Sequence, residues 1–312
     1  MKRRQFLGSA AALTIAATGG CAGCAPVPSA SLSMDPVTDE DIAVRVTTRL
    51  EPAADNERYV VARDAIENGT ATMNGTHPPM DEGVPFVYDG GVYEVEYAVT
   101  DSVPATRFSI VLDVLDGDPS SDEIVAFDDL PDVDREKFVE RGWDGEFVGF
   151  GTSMLYLDSE IPKSALVPEP EHPIIEWDNG ERGVFSVDGS AESPVETYEY
   201  TPKTLYESAA ELGASVREER AFVLSDLTDA ERGIVDEVLT SESRSYTVAH
   251  DEEPPAPMRR LADRFREHEQ VRRLTERDEP EPQTASGNYL VEYEGTVYWT
   301  WFDIDESTAT PG

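Results

Sequence analysis

Phe222-Val223-Leu224-Ser225-Asp226-Leu227-Thr228-Asp229-Ala230-Glu231-Arg232 carries an apolar run that gives way to a helical pattern, with apolar positions continuing at Ile234, Val235, Val238 and Leu239. It reads as a strand entering a helix. Ile124-Val125-Ala126-Phe127-Asp128-Asp129-Leu130-Pro131-Asp132-Val133-Asp134-Arg135 reads the same way, with Phe138 and Val139 as the apolar positions that follow. Both stretches contain Asp-Leu-x-Asp-x-acid-Arg. Asp129 or Asp226 is expected to cap exposed helix amides, Pro131 suits a first-turn position, and the first-turn acids favour the positive end of the helix dipole. A fainter copy runs from Val44 to Leu50 and on through Glu57, Arg58, Tyr59, Val60 and Val61, with three extra residues between leucine and arginine. The pairs Glu57/Arg58, Asp134/Arg135 and Glu231/Arg232 admit a catalytic reading, but helix-start electrostatics accounts for them.

Working outward, each of these starts is followed by an aromatic hairpin. The three hairpins are Phe86 to Tyr97 around Asp89-Gly90, Ile174 to Val187 around Asn179-Gly180, and Tyr289 to Trp301 around Glu294-Gly295. Apolar and polar residues alternate along them, and glycine supplies the positive φ of a tight turn. The spacing from helix arginine to hairpin aromatic grows from 30 residues (Arg58 to Tyr88) to 42 (Arg135 to Trp177) to 61 (Arg232 to Tyr293). Insertions at one place in a repeat mark loops on one face. The third insertion holds Met258 to Leu274, a basic helical pattern whose apolar residues are spaced three, four, six and three apart. Glu267, Glu269, Glu276 and Glu279 interleave with its arginines, which reads as helix-face ion pairing and not as a nucleic-acid surface. An extra strand is expected at Phe108 to Leu115 and an extra helix near Leu205 to Leu212.

The expected class is therefore α+β, as repeated small units of strand, helix and antiparallel aromatic hairpin without the regular alternation of a doubly wound sheet. Residues 42–117, 118–215 and 216–304 form the three units. Residues 22–41 form a flexible tether and 305–312 a tail.

Composition narrows the function classes. Across 312 residues, 64 acidic and 25 basic side chains give a formal charge of −39, which excludes the basic face that a nucleic-acid partner requires. Hydrophobic residues make up 39% of the chain, enough for real cores under an acidic surface. Only Lys2, Lys137, Lys163 and Lys203 are lysine; every other basic residue is arginine. That balance resembles proteins of salt-accumulating halophilic archaea, in which carboxylates hold water and hydrated cations while concentrated salt screens their repulsion.

The amino terminus reads as an address. Lys2, Arg3 and Arg4 precede an apolar, alanine-rich run from Ser9 to Thr18, and no acid occurs before Cys21. Arg3-Arg4 followed by Gln5-Phe6-Leu7 resembles the twin-arginine export signal, whose receptor reads both guanidinium groups. Phe6 to Thr18 would span only about 20 Å as a helix, too short for a permanent membrane anchor. Gly19-Gly20-Cys21-Ala22-Gly23-Cys24 contains the only two thiols and resembles a lipobox. Cys21 is the expected lipidation site and Cys24 the alternative, in a signal segment spanning 1–21. Neither has leucine three positions earlier; a Cys-x-x-Cys disulfide, redox or metal site is the competing reading, and the position in the processing zone favours lipidation. Cleavage would leave 22 basic against 64 acidic residues, so attachment to the membrane would come from lipid and not from a basic patch.

The search for chemistry is mostly negative. His77, His172, His250 and His268 are isolated, and no nucleophile elbow, phosphate loop, dinucleotide fingerprint or zinc spacing occurs. Asp113, Asp116, Asp118, Asp122 and Glu123 cluster around Gly117, but their spacing departs from the calcium loop and lacks its terminal glutamate. No catalytic residue, metal or cofactor is expected. Asn68-Gly69-Thr70 and Asn74-Gly75-Thr76 are candidate glycosylation acceptors at Asn68 and Asn74. Signal, composition and Asp-Leu-to-hairpin repeat together resemble domains of unknown function in exported haloarchaeal lipoproteins. The resemblance implies a lipid-anchored protein on the extracytoplasmic face of the membrane, and it names no activity. The reading is a non-enzymatic surface binding module with an unidentified protein or small-molecule partner. The alternative is the solute-binding lipoprotein of a transporter.

Overall fold

A computed structural model describes residues 27–115, 120, 123–143, 149–276, 280 and 284–305. The export arginines Arg3 and Arg4, both cysteines, and Asp116, Asp118 and Asp122 of the acidic cluster lie outside those residues. The architecture is α+β, with six helices and three sheets among the described residues. The chain divides into two compact units: residues 37–219 with 272–280, and residues 1–36 with 220–271 and 281–312.

The second of these units contains one sheet. Its strands are β1 (Ala30–Pro36), β11 (Ala221–Val223), β12 (Ser245–Val248), β13 (Gly287–Tyr293) and β14 (Thr296–Ile304), in the order β11-β13-β14-β1-β12. β11 runs parallel to β13, and every other neighbour is antiparallel. Helices α5 (Asp229–Thr240) and α6 (Ala256–Arg266) pack on one face, closing a core around Leu32, Met34, Val235, Leu261, Phe265, Tyr289 and Phe302. α6 stops at Arg266, short of the expected Leu274. The six-residue gap between Phe265 and Val271 would turn Val271 off the apolar stripe. The chain instead leaves the helix, and the Val271 amide donates to the Asn288 carbonyl at 2.7 Å.

Residues 37–219 hold two sheets. One has the order β2-β10-β4-β3, from β2 (Ala71–Gly75), β3 (Phe86–Tyr88), β4 (Gly91–Val103) and β10 (Val195–Tyr206), with Thr48 forming a parallel bridge to Phe86. Helix α2 (Glu57–Asn68) covers Val61, Ala62, Ala65, Phe86, Val95, Tyr198 and Tyr200. The other has the order β6-β8-β9-β5-β7, from β5 (Ala105–Val114), β6 (Ile124–Ala126), β7 (Phe150–Leu157), β8 (Ile174–Glu176) and β9 (Arg182–Glu192). Here α3 (Asp132–Val139) packs Phe138 against Phe127, Trp177 and Phe185.

All three sheets share one order and one set of directions. A short strand or bridge runs parallel to the first strand of the aromatic hairpin; then follow the second hairpin strand, a long central strand and an edge strand, all antiparallel. The contiguous boundaries expected at 42–117, 118–215 and 216–304 do not describe this arrangement. Central strand β1 lies at 30–36, inside the expected tether, and pairs with β14 and β12. Central strand β10, from the expected second unit, belongs to the first sheet, while β5, from the expected first unit, belongs to the second. β4 passes through Pro104 into β5, and β9 passes through Ser193-Pro194 into β10, so the two sheets exchange central strands.

Two local expectations also change. Val44–Val46 is helical, within α1 (Asp39–Val46), because Thr38 and Asp41 close a capping box: Thr38 Oγ1 accepts from the Asp41 amide at 3.2 Å and Asp41 Oδ2 accepts from the Thr38 amide at 2.9 Å. Only Thr48 of that stretch bridges to a strand. The expected extra helix begins later, as α4 (Ala209–Arg220), since Leu205 and Tyr206 complete β10. The expected extra strand is β5.

Candidate functional site

The acid directly before the motif's arginine is a structural anchor in two of the three copies, Asp134 and Glu231. Asp129 and Asp226 do not cap the helices: Thr228 caps α5 and Pro131 stands at the cap of α3. Asp134 is fully buried. Its Oδ1 accepts from the Tyr156 hydroxyl at 3.0 Å and the Ser164 hydroxyl at 2.6 Å, and its Oδ2 accepts from the Ala165 amide at 2.8 Å. Burial first, then the Asp134 charge and hydrogen bond, push the Tyr156 phenol well above its ordinary value. Glu231, 1% exposed, accepts from the Thr228 amide at 2.7 Å and hydroxyl at 2.8 Å, and pairs with Arg260 at 3.2 Å and Arg264 at 3.6 Å. Burial raises the Glu231 carboxyl, but the Thr228 hydrogen bonds and the two arginines more than reverse this, leaving it below the ordinary carboxylate value. Each acid thus ties the helix start to the segment inserted before the hairpin: Ser164-Ala165 in one sheet, α6 in the other. Glu57, the third member, is exposed, with Asn56 as the helix cap.

Two clefts lie at the same topological place in two sheets, between the strand-to-helix link, the helix and the hairpin tip. The first, about 460 Å³, is lined by Leu50, Pro52, Tyr59, Glu67, Val87, Tyr88 and Asp89. The second, about 440 Å³, is lined by Phe127, Asp128, Asp132, Arg135, Glu136, Val139 and Asp178. Asp89 and Gly90, at φ 44° and 80°, form the left-handed pair of a tight hairpin turn, and Glu294-Gly295, at 51° and 77°, repeats it. In the first cleft the Tyr88 hydroxyl donates to Glu67 Oε1 at 2.7 Å, and that bond pushes the phenol up to about 12. The Tyr59 and Tyr88 rings are 6.1 Å apart and tilted by 52°. In the second, Trp177 stacks on Phe127 at 6.1 Å behind the wall. Tyr88 thus lines the first cleft, while its hairpin counterparts Trp177 and Tyr293 are core residues. The contributions of Tyr59 and Glu67 carry no sequence motif; they stand eight residues apart on α2 and meet the hairpin residues Val87, Tyr88 and Asp89 only in the folded chain.

The other candidate residues are scattered. Asn68 is exposed at the last position of α2, before the left-handed Gly69. Asn74 lies on edge strand β2, where its Oδ1 accepts from the Thr197 hydroxyl at 2.8 Å, and Thr76 Oγ1 accepts from Arg107 at 3.0 Å. His250 Nδ1 lies 2.9 Å from the Val27 carbonyl, and His268 stacks on Phe222 at 3.7 Å. Among the described residues, no group of three or more His, Cys, Asp or Glu side chains is placed to hold a metal ion. No described helix is long and apolar enough to cross a membrane. No protein-family model, curated protein or solved structure matches the chain.

Proposed function

We propose that the chain is a lipid-anchored protein of the extracytoplasmic face of a salt-adapted cell, acting without catalysis as a binding module through the clefts at its hairpin tips. The observation that carries this reading is the recurrence of a cleft of about 450 Å³ at one topological position in two sheets. The described linings combine carboxylates with aromatic or aliphatic walls and include no serine, cysteine or histidine. Such walls suit recognition, in which fixed polar groups supply orientation and specificity and the smaller apolar patches add contact area. The anchor is read from Cys21, with Cys24 as the alternative, and the export route from Arg3 and Arg4. The acidic, lysine-poor composition fits a surface bathed in concentrated salt.

The test is expression of the full chain in a halophilic archaeal host, followed by fractionation, labelling of intact cells with a membrane-impermeant reagent, and mass spectrometry. The expected results are a labelled, membrane-bound protein with a lipid mass on its first residue, and release into the medium by Cys21→Ser. A protein held inside the cell, or an unmodified cysteine in the membrane-bound form, refutes the reading.

A further inference from the structure

In two of the three sheets a guanidinium from the chain itself closes the link between strand and helix. Arg135 of α3 donates through Nη1 to the Asp128 carbonyl at 3.0 Å and also pairs with Asp132. In the sheet built on β1, Arg264 of α6 donates to the Ser225 carbonyl at 3.2 Å and the Asp226 carbonyl at 2.9 Å. Alignment of the two Asp-Leu motifs places Ser225 where the other sheet has Asp128. One arginine comes from the sheet's own helix and the other from an inserted one, so the place selects the chemical group from different sources.

The third sheet departs from this pattern. Its cleft is walled by Leu50, Pro52, Tyr59, Glu67, Val87, Tyr88 and Asp89, and none of these described lining residues is basic. Arg63, one helical turn from both Tyr59 and Glu67, gives its hydrogen bonds to Asp64 at 2.8 Å while its charge also reaches Glu67, Tyr59 and Tyr88, and Arg49 pairs with Glu51 at 3.1 Å. We propose that this cleft takes the guanidinium of an arginine side chain on a protein partner; the proposal rests on reading the chain as a binding module. Two tilted tyrosine rings offer faces for a planar cation, and two carboxylates stand at the helix and hairpin sides. The Tyr88 hydrogen bond fixes the Glu67 carboxylate in place. Leu50, Pro52 and Val87 suit the aliphatic stem. Salt chooses between arginine and lysine. At molar ionic strength the screening length is about 3 Å, so only contact-range attraction survives. Guanidinium is weakly hydrated and stacks on aromatic faces, whereas an ammonium is strongly hydrated and competes directly with potassium.

The experiment titrates acetyl-Gly-Arg-Gly-amide, and its lysine and citrulline counterparts, into the intact chain in molar KCl. Calorimetry reads affinity, and hydrogen exchange reads location. The arginine peptide is expected to bind about tenfold more tightly than either counterpart and to protect residues 50–52, 59–67 and 86–89. Glu67→Gln with Asp89→Asn, and separately Tyr88→Leu, should each weaken it about tenfold while hydrogen exchange elsewhere stays unchanged. Asn tolerates the left-handed conformation at position 89, so that variant keeps the turn. Equal binding of the citrulline or lysine peptide, protection at another place, or undiminished binding by the double variant overturns the proposal. Surface labelling and lipid mass are read independently, so a silent peptide on a surface-exposed, lipidated protein rejects the arginine site alone.

Discussion

Gly213→Ala and Gly233→Ala make the same chemical change in two helices and should act in opposite directions. A methyl group at position 213 of α4 would lie 1.7 Å from the Asp39 carbonyl oxygen, 2.4 Å from its carbon and 2.8 Å from its Cα, all backbone atoms at the start of α1. Restoring ordinary contact requires the helices to separate by about 1.5 Å or more, and close-packed interiors resist such movement. The shift would also strain the paired hydrogen bonds from Arg217 to Asp39, at 2.8 and 3.2 Å. Overpacking of this kind costs about 3 kcal/mol, and alanine's better helix propensity returns about 1, for a net loss of about 2 kcal/mol. For the unit of residues 37–219 that corresponds to a fall in Tm of about 4–8 °C. At position 233 of α5 a methyl group meets nothing within 4 Å, so only the propensity gain of about 1 kcal/mol remains, and the other unit should gain about 4 °C. The assay is scanning calorimetry in molar KCl, with hydrogen exchange assigning each transition to its unit. A Gly213→Ala protein whose transition is unchanged or raised would refute the close crossing of α1 and α4.

Other outcomes follow from buried polar groups and from charge. Asp134→Ala leaves the Tyr156 hydroxyl, the Ser164 hydroxyl and the Ala165 amide without their acceptor, so it should destabilise its unit by about 3 kcal/mol and deprotect residues 164–167 in hydrogen exchange. Thr300 is fully buried, and among the described residues its hydroxyl has no partner, so Thr300→Val should raise stability by about 1 kcal/mol in a denaturant titration. Because the folded Glu231 carboxyl titrates below its ordinary value of 4.5, its stabilising contribution is complete above that pH and is lost as pH falls through the lowered folded value. Melts between pH 6 and about pH 3 should show Glu231→Gln flattening that loss. The formal charge of −39 predicts partial unfolding on transfer from molar to millimolar KCl, and an unchanged circular dichroism melt would contradict it.

What the sequence determined by itself is local. The three hairpins are written in two-residue alternation around a glycine turn, and α5 in its apolar spacing at Ile234, Val235 and Val238, because both depend on neighbours a few residues apart; its cap is Thr228 and not the expected Asp226. The alternating buried residues of Ala30-Ser31-Leu32-Ser33-Met34 carried a strand signal too, masked by the absence of charge that made the segment resemble a tether. Tertiary structure alone decided which central strand joins which hairpin. β1 pairs with β14 across more than 260 residues, and β4 and β9 each continue into the neighbouring sheet, because register there is set by burial against distant partners. The same long-range packing gave one motif different tasks. Asp134 and Glu231 were buried where an inserted segment returns to the helix start, Glu57 stayed in solvent, and the first cleft was assembled from Leu50, Tyr59, Glu67 and Tyr88, residues whose common location no local pattern encodes.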